Sequence, residues 1–346
     1  QRHCSGGRHM ATRRRLAAAG ASSLLATAAY YDERVRRQIV IPVVGGAARL
    51  FVLAGNDLTL HDAHHLHAGL QRPAGTGMLT VSNHISTMDD PGLLAAIVPL
   101  STLCDSDAMR WGVCAEDVCF RPGSWIERCA SAAKVLPVVR GGGVRQPQLE
   151  CVAAKLQAGQ WVHYFPEGSI RQDGKVHRFR RGVGRIVAAV AELGGGEEEQ
   201  QQEEQQAGRG AAGRGEVGRG AVDRAAEARA EHAAQAVRAA GAARPGAAAG
   251  GGGRALRVVP YYHTGADQVQ PTTAESTSFF SFPKLGTPIH VIFGAPLDLA
   301  PLLALRSRPP YNQRPELLYE RIALALEDEV KRLQRELAVR LAAKQT

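Results

Sequence analysis

Apolar residues fall along this chain in two rhythms. Met78–Ser82, Lys134–Val139, Gln160–Phe165, Leu256–Tyr262 and Pro288–Phe293 are short apolar runs, several rich in β-branched or aromatic residues. Short runs of this kind, bounded by polar or glycine turns, predict buried strands. Residues 146–158 and 181–193 instead repeat their apolar positions every three or four residues and predict helices. Pro315–Ala343 carries apolar residues at 318, 322, 326, 330, 333, 337 and 341, the stripe of one long helix that must dock on a core or on a partner helix. Asp90-Pro91 reads as an N-cap followed by proline at the first helical position, opening a helix to about Leu100. Strands alternating with helices in this order predict an α/β layered fold, a sheet flanked by helices.

Two segments depart from that alternation. Ile39–Gly55 is the longest apolar stretch, yet it holds Pro42, Gly45, Gly46 and Arg49. A spanning helix wants about 20 apolar residues. The run therefore predicts an interfacial or re-entrant membrane anchor, with Arg36, Arg37 and Arg49 near lipid headgroups. A buried core helix is the alternative. Gly194–Arg254 has no aromatic residue, no Leu and no Ile, and its nine acids nearly cancel eight arginines. Such a stretch cannot bury enough apolar area to order itself and predicts a disordered insertion.

The chain thus divides into a basic tail (1–32), a membrane-associating segment (33–70), a core in two parts (71–193 and 255–300) split by the insertion (194–254), and a C-terminal amphipathic helix (301–346). The tail is Arg-rich, Ala/Ser-rich and free of acids before Asp32, the composition of an organelle transit peptide or of an ordinary basic tail.

Charge narrows the partners. Across 346 residues, 42 Lys+Arg against 33 Asp+Glu leave a formal +9, which favours an anionic partner. Arg178, Arg180, Arg181 and Arg185 form a basic patch with only Phe179 interleaved and no nucleic-acid module around it, so lipid headgroups are the better anion and no nucleic acid is expected. His61, His64, His65 and His67 cluster without a cysteine and match no zinc spacing, so no metal is expected. The six cysteines include no Cys-x-x-Cys pair and are read as thiols packed as small hydrophobes.

The sharpest chemistry lies in Ser82-Asn83-His84-Ile85-Ser86-Thr87-Met88-Asp89-Asp90-Pro91. A histidine leaves a strand end and an acid follows five positions later. On a continuous helix the two would stand roughly 140° apart, but a loop turning at Ser86 can join them. The Asp89 carboxylate would then accept one ring N–H of His84 and leave the other nitrogen as a general base, suited to deprotonating a substrate hydroxyl. The bland reading is a capping turn with a polar histidine. Three further strand ends add polar groups. Val139-Arg140-Gly141-Gly142-Gly143 offers a guanidinium and backbone N–H groups to a phosphate, Phe165-Pro166-Glu167-Gly168 brings a carboxylate, and Pro260-Tyr261-Tyr262-His263-Thr264-Gly265 runs into a turn. Polar groups gathered at strand ends are the usual layout of a site in an α/β fold.

In this order the four blocks resemble the glycerolipid acyltransferase superfamily, with its His-x4-Asp motif. Asp89-Asp90-Pro91, Arg178–Arg185, Pro260–Ala266 and Leu58-Thr59-Leu60-His61 are similar to the tafazzin branch of it. Ile85, Ser169, Gly142-Gly143 and Tyr262 depart from that pattern, and the changes near the Arg and Glu blocks, Gly142-Gly143 and Ser169, blur substrate choice. The resemblance implies a superfamily-like layered sheet with an N-terminal membrane-anchoring segment. It implies a transacylase that remodels cardiolipin by moving an acyl chain between phospholipids such as phosphatidylcholine and a lysophospholipid such as monolysocardiolipin, without coenzyme A or any other cofactor. It implies His84 and Asp89 as catalytic residues, and Asn83, Arg140, Gly141, Glu167 and Gly168 as substrate-binding. It also implies a peripheral or monotopic place on a mitochondrial membrane, facing the intermembrane space. An acyl-CoA-dependent acyltransferase is the near alternative, and a non-catalytic membrane-surface scaffold on the same fold is the distant one. Self-association is left open.

Overall fold

The computed structural model describes residues 33–192, 255–271 and 284–344; the tail expected over 1–32 and the insertion expected over 194–254 lie outside them. Five strands, β1 (Asp57–His61), β2 (Gly77–Val81), β5 (Trp161–Tyr164), β6 (Leu256–Thr264) and β7 (Pro288–Phe293), build one sheet in the order β1-β7-β6-β2-β5. Neighbours run parallel except β6 and β7, which are antiparallel. A smaller parallel pair, β3 (Gly112–Ala115) with β4 (Val135–Val138), continues this edge, because Trp111 bridges to Val162 of β5. Every residue of β2 is buried, which is why this central parallel strand reads as an unbroken apolar run.

Alternation along the strands divides the core into two layers. On one face Val81, Val258 and Ile292 pack under the C-terminal helix Pro315–Ala343, whose Leu318, Ile322, Leu326, Val330, Leu333 and Leu337 supply the predicted stripe. On the other, Met78, Val259, Tyr261, Val291 and Phe293 pack with Leu94, Leu103 and the N-terminal helix Glu33–Gly55. The period of two along each strand sends neighbours such as Val258 and Val259 to opposite layers. The result is a helix–sheet–helix sandwich with the parallel strand ends opening on one side.

The N-terminal segment differs from expectation. It is a single α-helix that runs through Pro42 and both glycines. Gly45 is required by close packing: a Cβ there would lie 2.7 Å from Leu103 Cδ1. Arg49 does not reach toward headgroups, because it donates to the carbonyls of Ala95 (2.8 Å) and Val98 (2.6 Å). Arg37 likewise pairs with Glu33 and lies over the Trp111 ring. The helix is long and apolar enough to cross a bilayer by length and composition, but Val40, Ile41, Gly45 and Val52 are buried against the body. Its outward residues Val35, Leu50 and Leu53 are exposed. Beyond it, 57–61 is an edge strand rather than part of a membrane segment.

Two further expectations are corrected. The helix opened by Asp90-Pro91 begins as a wide turn, Asp89–Leu93, and ends at Ile97, where Val98 turns extended ahead of Pro99. Asp90 itself is non-helical, and its carboxylate takes Arg110 rather than capping helix amides. The cysteines are not uniformly packed thiols: Cys114 and Cys119 form a disulfide, and Cys104 is exposed.

Candidate active site

The register of the central strands decides what meets at their ends. Val81, the last residue of β2, pairs with Tyr164 at the end of β5 and with Pro260 of β6. Ser82-Asn83-His84 and Phe165-Pro166-Glu167 therefore leave the sheet side by side, while β6 continues past them through Tyr261, Tyr262 and His263.

The loop after β2 turns back within five residues and closes the predicted pair: His84 Nδ1 stands 2.9 Å from Asp89 Oδ2. The same oxygen accepts the backbone N–H groups of Ile85 (2.8 Å) and Ser86 (2.9 Å). An oxygen that already takes two donors acts as an acceptor toward the ring as well. Nδ1 of His84 therefore carries the proton, and Nε2 keeps a free lone pair. The carboxylate is fully buried, whereas the imidazole keeps 20% of its side-chain surface exposed. Phe165 lies flat against that ring at 3.9 Å between centroids, so the imidazole is fixed by a stack on one face and a carboxylate at one edge.

Glu167 sits beside the pair on the next strand end. It is buried, its Oε1 has no hydrogen-bond partner among the described residues, and burial pushes its carboxyl up to about 8 against the opposing pull of the His84 and His177 backbone N–H groups. Gly168 follows with φ +71°, a conformation that favours glycine, and a Cβ there would meet Arg180 Nε at 2.6 Å. That approach lets Arg180 Nε donate to the Glu167 carbonyl at 3.1 Å.

His84, Arg140, Gly141, Glu167 and Gly168 all line one cleft of about 1070 Å³. Arg171, Arg178, Arg180 and Arg181 line it as well, and so does an apolar wall that includes Ile41, Val44, Leu103, Met109, Val113 and Ile126. Arg140 is exposed and pairs with Asp117 at 3.3 Å. The cleft thus joins the His84 imidazole, a cationic rim and an apolar branch that reaches the N-terminal helix. Asn83 is the predicted substrate contact that fails. It is buried, its Nδ2 donates to the His263 carbonyl (2.9 Å), and its Oδ1 accepts the His263 N–H (3.1 Å), so it splices the site loop to β6.

Residues 58–195 match the family model described as Acyltransferase. The match covers less than half of the chain, and over it the chain is similar to acyltransferases. The chain is 37% identical over 158 residues to the N-acylphosphatidylethanolamine synthase of Arabidopsis thaliana, covering 44% of this chain and 54% of that protein. It is 35% identical over 151 residues to Tafazzin of Drosophila melanogaster, covering 43% of this chain and 39% of the fly protein. It is 35% identical to Taffazin of Dictyostelium discoideum over 135 residues, 39% of this chain and 45% of the relative. The chain therefore spans about half the length, or less, of the curated relatives it matches. Among solved structures it is similar to the 1-acyl-sn-glycerophosphate (LPA) acyltransferase PlsC from Thermotoga maritima, at 16% identity and a TM-score of 0.48 over 92% of this chain and 88% of that one.

Several parts of this site are not legible in the sequence. The stacking role of Phe165, the Asp90–Arg110 pair and the apolar branch depend on contacts between distant segments, and nothing local announces them. His263 was visible only as part of a motif. In the fold it is fully buried 3.8 Å from Asp89.

Proposed function

We propose that this chain is a membrane-associated phospholipid–lysophospholipid transacylase that remodels cardiolipin. The observation that carries the reading is the His84–Asp89 pair opening into a single cleft with a cationic rim and an apolar branch. A lysophospholipid such as monolysocardiolipin presents a free hydroxyl to His84 Nε2, which takes its proton. The alkoxide attacks the ester carbonyl of a second phospholipid, such as phosphatidylcholine. The tetrahedral intermediate collapses, and the departing lysophospholipid oxygen receives the proton back from the His84 imidazolium, so no cofactor is consumed. Asp89 holds the ring in the required tautomer and stabilises the imidazolium while it lasts. Arg140, Gly141, Glu167 and Gly168 hold the glycerophosphate, with Glu167 uncharged below about pH 8 and so not repelling it.

The outward face of the N-terminal helix carries Val35, Leu50 and Leu53, and Leu285 is exposed beside Gly55 at its end. Its other face is packed on the body. We read it as lying in the interface, with both flanks on one side, delivering lipid to the apolar branch. The two relatives named for tafazzin support the cardiolipin assignment and, with it, a mitochondrial membrane facing the intermembrane space. The Arabidopsis relative's name favours a second reading, in which the acceptor is the amine of phosphatidylethanolamine. An acyl-CoA donor would use the same pair. A lipid-coupled assay separates all three: labelled phospholipid with monolysocardiolipin or with phosphatidylethanolamine as acceptor, each with and without acyl-CoA. Acyl transfer to monolysocardiolipin without acyl-CoA is the expected result, and dependence on acyl-CoA or a product confined to the amide would overturn it.

A further inference from the structure

The proposal here concerns His263, and it rests on the reading of His84 as the base. His263 is fully buried on the final stretch of β6, where that strand runs past the end of β2. Its Nε2 lies 3.1 Å from the carbonyl of Asn83, the residue before His84, and 3.8 Å from Asp89 Oδ2. A carbonyl can only accept, so the proton of this imidazole is on Nε2, close to the Asp89 carboxylate as well. The main chain of His263 is held as well, because the Asn83 side-chain amide bonds both its N–H and its C=O.

We infer that His263 is a positioning residue for the catalytic pair. Its Nε2–H anchors the peptide that carries His84 and lends a dipole, but no full charge, to Asp89. Neutrality matters: an imidazolium at this place would compete with His84 for Oδ2. Burial lowers the pKa of His263, although Asp89 pulls the other way. The charged and titratable groups facing it are Asp89 and His84 from the loop after β2, His163 from β5, and Asp267 from the turn after β6.

The test uses the full chain in phospholipid vesicles with labelled phospholipid and lysophospholipid. His263→Leu should lower kcat by about 10²-fold, the size of a small displacement of catalytic groups, with KM unchanged. His263→Gln, which keeps an N–H donor, should restore most of the rate. In His263→Leu the acid limb of kcat/KM should move to higher pH, because the Asp89 field then acts on His84 uncompensated. Combined with Asp89→Asn, His263→Leu should cost nothing further, as expected for two residues acting as one unit. Nitrogen NMR of the unmutated protein supplies a reading free of folding effects, and it should find His263 neutral with its proton on Nε2 throughout the active pH range. A proton on Nδ1, a wild-type rate in the Leu variant, or an equal loss in the Asp89→Asn background would overturn the inference. His84→Ala run alongside separates the two claims, since full activity there would remove the base itself.

Discussion

Asp89 Oδ2 receives three donors within 2.9 Å, two from the backbone of its own loop and one from His84 Nδ1. That convergence turns a sequence spacing into chemistry. The backbone pair fixes the carboxylate before any substrate arrives, and the carboxylate fixes the imidazole tautomer. Asp89→Asn should therefore act through charge rather than fold. An amide oxygen held by the loop N–H groups can still accept from His84 Nδ1, but it lacks the negative charge that stabilises the imidazolium. Activity should fall by about 10²–10⁴-fold, the usual range of a general-base contribution, with the melting transition little changed. An Asn variant that keeps full activity would show that the pair is structural.

Glu167 gives a pH prediction with a definite sign. Its folded carboxyl titrates at about 8 against an ordinary value of 4.5, so the folded state holds a proton that the unfolded state releases. This group's contribution to stability is complete below about pH 4.5 and declines as pH rises to about 8. Glu167→Gln removes that slope. The melting temperature of the variant relative to wild type should climb between those two pH values and level off above them. The alkaline limb of activity near pH 8 should also vanish in the variant if ionised Glu167 is what repels the glycerophosphate.

Asp90 was expected to cap a helix, which would be worth about 1 kcal/mol. The structure gives it a heavier task. Its carboxylate pairs with the buried Arg110, whose guanidinium also donates to the Ala133 carbonyl at 3.1 Å. Removing one partner leaves a buried charge, so Asp90→Ala should cost about 3–5 kcal/mol in chemical denaturation. A loss near 1 kcal/mol would return Asp90 to the role of a simple cap.

The apolar face of the N-terminal helix should decide membrane binding. Leu50 and Leu53 are exposed in the protein, so replacing them with lysine leaves the core intact. Each leucine buried in lipid is worth about 1.5–3 kcal/mol, so Leu50→Lys with Leu53→Lys should reduce vesicle co-sedimentation at least tenfold even at high salt. Undiminished binding would move the membrane contact to another surface.

Much of this was legible because it is local. The strand runs, the C-terminal stripe and the His84–Asp89 spacing each lie within a window that one element's periodicity or one loop can express. What stayed hidden is non-local. β3 is four residues with Gly112 and Ala115 at its ends, too little apolar signal to register, and only its pairing with β4 makes it a strand. Asn83 carries the right residue type for a substrate contact, and only the strand register reveals that β6 claims its side chain. Arg49 suits a headgroup equally well until the carbonyls left free where the helix ends at Ile97 are seen to take it. Pro42, Gly45, Gly46 and Arg49 argue against a straight spanning helix, yet one helix runs through all four and packs on the body.

The central claim is that His84 drives acyl transfer from one phospholipid to another. The most direct measurement follows a labelled acyl chain from phosphatidylcholine to monolysocardiolipin in vesicles free of acyl-CoA, for the wild-type chain and for His84→Ala. The account predicts transfer by the wild type and a fall of about 10²–10⁴-fold in the variant, with lysophosphatidylcholine released in equal amount to the cardiolipin formed. Transfer that persists in His84→Ala, or that proceeds only when acyl-CoA is added, would contradict it.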